Sequence, residues 1–366
     1  DRLRSRGLGD VYKRQVIKLE QNYRSTQTIL NAANAVISNN IGRKSKSLWT
    51  DNGEGEKVNY TLYENGYDEA EGVASGIAEY VRDGWNYNDV AILYRTNAQS
   101  RALEEKLMIH NIPYKIYGGQ NFYQRKEIKD ILAYLKTIDN GLDGQAVKRI
   151  INVPKRGIGN TTIDRLQEYA DFNDITFWEA LVNAKDIDTI KNAALSKLEP
   201  FVDLIGRLRA KEEFMSLKEL AEAVIEDTGY IESLSQNETV EEVEARRENL
   251  DEFINKVVSY EESCKEAGEE PTLSGLLEEV ALIADIDNLD ESEPHVMLMT
   301  LHSAKGLEFP IVYMTGMEDG LFPSYMTIVS DDSTEIEEER RLCYVGITRA
   351  EKILNLTSCL LYTSPS

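Results

Sequence analysis

Strand character nearly vanishes from this chain between Phe122 and Val296, and that interruption limits its folds more than any other feature. Before the gap the α/β rhythm is regular. Ile17–Leu19, Val58–Tyr63, Val90–Tyr94 and Tyr114–Tyr117 read as strands. Between them Ser25–Asn39, Asp68–Val81 and Ala98–His110 carry helical spacing, with Ser25 as the expected cap of the first. The continuous apolar run at Val90–Tyr94 predicts a strand covered on both faces, as in a parallel sheet. Strands resume at Val296–Leu301, Ile311–Met314 and Ile353–Leu356. The intervening helices are expected at Lys126–Ile138, Gly144–Ile151, Thr161–Phe172, Thr176–Val182, Leu195–Phe214, Leu217–Thr228, Val240–Ala267 and Leu273–Ile283. Charges crowd Glu238–Glu270, which reads as a solvated helix. The fold class is therefore α/β: a parallel-sheet domain interrupted by an all-helical insertion of roughly 160 residues, large enough for its own core.

At 366 residues the chain exceeds one comfortable core, which agrees with two folding units. Its net charge of −23 weighs against an extended phosphate-binding surface, although a channel needs only local basic residues. No apolar run reaches the ~20 residues of a membrane-spanning helix, so no membrane partner is expected. Cys264, Cys343 and Cys359 lack C-x-x-C spacing and read as reduced thiols of a cytoplasmic protein. The three histidines are scattered and form no metal cluster. Residues 1–15 and 359–366 match no pattern continuous with their neighbours and resemble translated adapter sequence at the edges of assembled fragments. The natural segment is then expected to run from Val16 to Ser358; a basic arm is the other reading of residues 1–15.

Four segments carry chemistry. Tyr23 and Arg24, in QNYR between a strand and a helix start, offer an aromatic plane and a guanidinium fork for phosphate. On the tetrapeptide alone, a surface arginine beside a half-buried tyrosine is the better reading. TLHSAKGLEF (residues 300–309) follows a strand and sets Thr300, His302 and Lys305 as donors suited to a phosphate backbone. Gly306 there permits conformations closed to other residues, and Glu308 can accept from a ribose hydroxyl. In Glu337–Ala350 a helix delivers Arg349 beyond an acidic cluster, where it can act as an arginine finger on a transferring phosphoryl group. In the insertion, Gly157-Ile158-Gly159 precedes a helix that begins near Thr161; exposed amides there can hold a phosphate, or the turn is simply interhelical.

LEQNYRS, VAILYRTNAQSR, TLHSAKGLEF and ERRLCYVGITRA, in that order and spacing, resemble the C-terminal half of UvrD/PcrA/Rep-type superfamily I DNA helicases from Val16 to Ser358. The resemblance implies a RecA-like domain 2A (residues 16–123 and 289–358) split by a helical domain 2B (124–288). It implies an ATP-dependent 3′–5′ helicase of repair or replication restart. Tyr23 would stack on adenine, Arg24 and Arg349 would be catalytic at the γ-phosphate, and Glu308 would sit near the ribose. Arg95, Asn97, Thr300, His302 and Lys305 would grip single-stranded DNA, while Gly157, Ile158, Gly159 and Thr161 would meet the duplex at a junction. ATP and Mg²⁺ are the implied cofactors, and repair or replication proteins the implied partners. The sequence departs from the family in having no G-x-x-x-x-G-K-[ST]. The chain is thus expected to be a fragment that cannot hydrolyse ATP alone, with the Mg²⁺ ligands in the missing N-terminal half. Two other readings are a DNA-binding module without catalysis and part of a RecB/AddA-type helicase-nuclease.

Overall fold

The computed structural model describes residues 20–41, 47–236, 238–286 and 294–360, the last three side chains of the 238–286 segment excepted. The expected strand at Ile17–Leu19, residues 1–15 and residues 361–366 lie outside the described residues.

In chain order the first part contains α1 (Gln27–Ile37), β1 (Asn59–Tyr63), α2 (Gly66–Arg82), β2 (Val90–Tyr94), α3 (Ser100–Ile109) and β3 (Tyr114–Ile116). Among the described residues nine α-helices follow: α4 (Lys126–Asp139), α5 (Gly144–Ile150), α6 (Asn160–Asn173), α7 (Phe177–Val182) and α8 (Asn192–Glu212) lead to α9 (Leu217–Thr228), α10 (Tyr230–Leu234), α11 (Val240–Ala267) and α12 (Leu273–Ile286). The chain closes with β4 (Val296–Thr300), β5 (Phe309–Met314), α13 (Tyr325–Val329), α14 (Ser333–Ile347) and β6 (Ala350–Cys359). The six strands form one parallel sheet in the order β1-β6-β5-β2-β4-β3. The last three strands thus enter the sheet built by the first three, on both sides of β2. This is a RecA-like α/β fold with a helical insertion.

β2 shows why its sequence is uniformly apolar. Val90, Ile92 and Tyr94 face α2 and α3, while Ala91 and Leu93 face α1 and α14. With both sheet faces covered, alternation has no polar side to show. A separate core of buried residues runs from Phe122 to Val280 and belongs to the helices.

Three expectations need correction. Ser25 does not cap α1: its hydroxyl is buried and donates to Ala350 O (2.6 Å). The first amides of α1 donate instead to Gly53 O (2.8 Å) and Glu54 O (3.1 Å), carbonyls of a distant loop. The sheet does not stop at Ser358, since β6 pairs Cys359 with Tyr63 and Leu360 N donates to Tyr63 O. Nor is α11 merely solvated. Its Asn249 accepts from Arg125 (2.8 Å), its Glu252 accepts from Arg101 (2.8 Å), and Lys256 lies 3.5 Å from Glu105, all against residues of or beside the sheet unit. Arg101 is only 1% exposed. Burial opposes its charge, but Glu252 and Glu105 outweigh that and hold its pKa above the ordinary value.

At the carboxyl end of β6, burial and then neighbouring Glu69 push the Glu318 carboxyl up to about 7, against the amide of Cys359 that it accepts from. A carboxyl raised in the folded state holds its proton more tightly than in the unfolded chain. Its stabilisation is present below about 4.5 and is lost as pH rises to about 7. Glu318→Gln should therefore flatten the decline in Tm between those limits, which a thermal melt series across that range would read. An unchanged slope would contradict it.

Candidate functional site

Two groups of side chains sit at opposite ends of the strands. At the amino ends of β5 and β6, three segments distant in sequence converge. Arg24 lies just before α1, Glu308 just before β5, and Thr348 and Arg349 between α14 and β6. The Arg24 guanidinium contacts the Glu308 carboxylate through Nε and donates from Nη1 to Thr348 O (3.2 Å). Arg349 is half-buried. Its Nε donates to Val345 O (2.9 Å), its Nη1 to Leu307 O (2.9 Å) and its Nη2 to the Thr348 hydroxyl (3.2 Å). Burial first, and then the nearby Arg24 charge, lower the Arg349 pKa. Two guanidiniums this close repel, so the pocket favours an added anion. Tyr23 projects beside them, 80% exposed.

Local sequence explains these positions. The Asn22 side chain accepts from the amides of Arg24 and Ser25 (both 2.8 Å), an Asx turn that aims Arg24. Gly346 lets α14 press onto the sheet: a Cβ there would fall 2.5 Å from Leu301 Cδ2 and 2.8 Å from Met314 Cε. Any larger residue would lift the helix end that carries Thr348 and Arg349.

At the carboxyl ends of β2 and β4 lie Arg95, Asn97, Thr300 and His302. Asn97 and His302 are exposed. Arg95 is not free: Glu339 of α14 accepts from its Nη2 (2.8 Å) and Nε (3.2 Å). The Thr300 hydroxyl closes its own turn through Ser303 (3.0 Å). Desolvation, then the Arg95 charge, lowers the His302 pKa, which favours the neutral imidazole. Lys305 is exposed farther along the loop. That loop, residues 301–308, returns from the carboxyl end of β4 to the amino end of β5, about 20 Å by strand rise. Leu301 and Ala304 are buried on the α1 and α14 face as it passes. α14 makes the same journey from Glu339 to Thr348.

In the helical part, Gly157 and Gly159 are exposed and Gly159 caps α6 without a side-chain bond. Lys155, Thr161 and Lys197 are exposed around the turn, and the Lys197 ammonium donates to Gly157 O (2.7 Å). Ile158 differs. Its side chain is buried, its amide donates to Asn152 (3.0 Å) and its carbonyl accepts from Asn152 (2.7 Å). It anchors the turn and has no open donor. Among the described residues no group of three or more His, Cys, Asp or Glu could hold a metal ion.

The family model for the UvrD-like helicase C-terminal domain matches residues 17–360. The chain belongs to the UvrD-like helicase C-terminal domain family. The ATP-dependent DNA helicase PcrA of Staphylococcus aureus (strain Mu50) is 49% identical over 348 residues, covering 95% of this chain and 47% of that protein. PcrA of Staphylococcus epidermidis (strain RP62A) is 47% identical over 349 residues, with the same coverage. The chain spans about half the length of the curated relatives it matches.

In this UvrD-like domain, sequence reasoning missed the supports of the site. Asn22, Glu339 and the carbonyls of Val345, Leu307 and Thr348 hold the arginines. Asn two residues before Arg24 carries a readable Asx-turn signal. The carbonyls carry none, because every residue has one.

Proposed function

We propose that this chain is the C-terminal half of an ATP-dependent 3′–5′ DNA helicase acting in repair or replication restart. The observation that carries this reading is the meeting of Arg24, Glu308 and Arg349 at one rim of the sheet. A binding module without catalysis has no use for two guanidiniums held side by side at the cost of their repulsion.

Arg24 and Arg349 hold the γ-phosphate and offset the charge that builds as the phosphoryl group transfers. Their carbonyl and carboxylate partners keep both in place before nucleotide arrives, so little reorganisation is needed. Glu308 accepts from the ribose, and the Tyr23 ring stacks on the base. Mg²⁺ would neutralise the phosphates when bound; among the described residues no group of three or more His, Cys, Asp or Glu could hold it.

Single-stranded DNA lies across Asn97, Thr300, His302 and Lys305, and Arg95 shares its guanidinium between Glu339 and a phosphate. The duplex ahead rests on the exposed backbone of Gly157 and Gly159 and on Thr161 at the start of α6, with Lys155 and Lys197 supplying the local positive charge that a chain of −23 otherwise lacks. Loop 301–308 and α14 each touch both ends of the sheet, so nucleotide state at one end can bias DNA contacts at the other. Cytoplasmic action with repair or replication proteins fits this reading.

The test is DNA-stimulated ATP turnover and strand separation by the full-length protein on a duplex with a 3′ single-stranded tail. Unwinding is expected there and not on a 5′-tailed duplex. The chain alone, having no Walker phosphate cradle, should show no ATP turnover; measurable turnover by the purified chain would overturn that.

A further inference from the structure

Tyr23 is 80% exposed, yet it is not loose. Its hydroxyl donates to Gln21 Oε1 (2.8 Å), and Gln21 Nε2 donates to Asp51 Oδ2 (2.9 Å). A carboxylate can only accept. Asp51 therefore fixes which end of the Gln21 amide faces it, the Oε1 must face Tyr23, and the tyrosine must donate. The three groups form a one-way relay with a single satisfied arrangement.

The relay is built on a stiff base. Gln21 pairs with Trp49 in an isolated parallel bridge, and Asn22 N donates to Trp49 O (2.7 Å). Asn52, next to Asp51, donates to Arg24 O (3.1 Å), and Thr50 N donates to Gln27 Oε1 (3.1 Å). Gly53 and Glu54 then cap α1 through their carbonyls. The segment from Trp49 to Glu54 thus braces Tyr23 and Arg24 together.

We infer that Gln21 and Asp51 are positioning residues for the nucleotide base, acting through the Tyr23 ring. The inference rests on the reading of Tyr23 as a base-stacking residue. An exposed tyrosine that rotates freely loses rotamer freedom when a base stacks on it; one already held loses less and binds more tightly. The carboxylate of Asp51 itself meets no ligand in this scheme.

The test uses the full-length protein and two readouts, the Kd of a fluorescent adenine nucleotide and the KM and kcat for ATP. Gln21→Ala and Asp51→Ala should each raise Kd and KM by about 3–10-fold, with kcat at saturation within about two-fold. Asp51→Asn can face Gln21 with either its oxygen or its NH2 group, so it loses the one-way order and should recover only part of the affinity. Tyr23→Ala should weaken binding at least as much as either. Asp51 is exposed, so these surface variants are expected to fold, and a melt of each would check it. If Tyr23→Ala raises Kd while Gln21→Ala and Asp51→Ala do not, the relay is overturned and stacking stands. If Tyr23→Ala leaves Kd unchanged, stacking fails and the relay falls with it. An Asp51→Asn protein as tight as the unsubstituted protein would overturn the orienting role.

Discussion

Arg349→Ala in the full-length protein is expected to lower kcat for DNA-stimulated ATP hydrolysis by about 10³-fold or more, the range for an arginine that stabilises a transferring phosphoryl group. Affinity for single-stranded DNA without nucleotide should stay within about two-fold, because the groups proposed to meet DNA lie at the other end of the strands. The structure gives the size of effect its reason. Arg349 spends three N–H groups on Val345 O, Leu307 O and the Thr348 hydroxyl, and so arrives at the site already aimed. Arg349→Lys should recover little, since a lysine cannot reproduce three separated donors while keeping charge toward the phosphate. Steady-state turnover and fluorescence anisotropy on the same preparations would check both halves. A loss of DNA binding as large as the loss of turnover would point to a structural role instead.

Arg101→Ala is expected to cost about 3–5 kcal/mol, the largest stability effect of any single change considered. The guanidinium is almost wholly buried, donates to Glu252 (2.8 Å), Tyr67 (2.9 Å) and Glu105 (3.1 Å), and lies 5.1 Å from the Tyr67 ring centre. Removing it leaves Glu105, 6% exposed, with Lys256 at 3.5 Å as its remaining cation. Burial alone would raise the Glu105 pKa, yet Arg101 and Lys256 hold it below the ordinary value. A carboxylate depressed in this way stabilises the fold above its unfolded pKa and ceases to as pH falls through its folded one. The deficit of Arg101→Ala should therefore shrink in acid, and adding Glu105→Gln should recover part of it at neutral pH. Urea unfolding at two pH values reads both effects. A cost under about 1 kcal/mol would mean that the network is solvated and weak.

Helix α11 shows where the sequence speaks and where it falls silent. Its limits, and those of α9, were legible to the residue. Thr239 with Glu242 and Ser216 with Glu219 form capping boxes, and Gly268 and Gly229 end the helices in the left-handed conformation. Its partners were not legible. Asn249, Glu252 and Lys256 look like any solvated charges in a run of Glu and Arg, because nothing local marks the face that meets Arg101 and Arg125. Short α10 and α13 escaped for a different reason: five residues hold too little periodicity. Ser25 failed as a cap since the true cap is a loop more than twenty residues away. The four site segments were legible as motifs, and Tyr23, Arg24, Glu308 and Arg349 do come together. Which end of the strands receives them was not, because that depends on the order in which later strands enter the sheet.

A double-mutant cycle on kcat tests the convergence of the two arginines most directly. Arg24→Ala, Arg349→Ala and the pair would be measured in the full-length protein at saturating DNA and nucleotide. If both guanidiniums act on one phosphate, each single change should cost at least about 10²-fold and the pair far less than the product of the two. Multiplying costs, or turnover that survives either change, would contradict a shared triphosphate site.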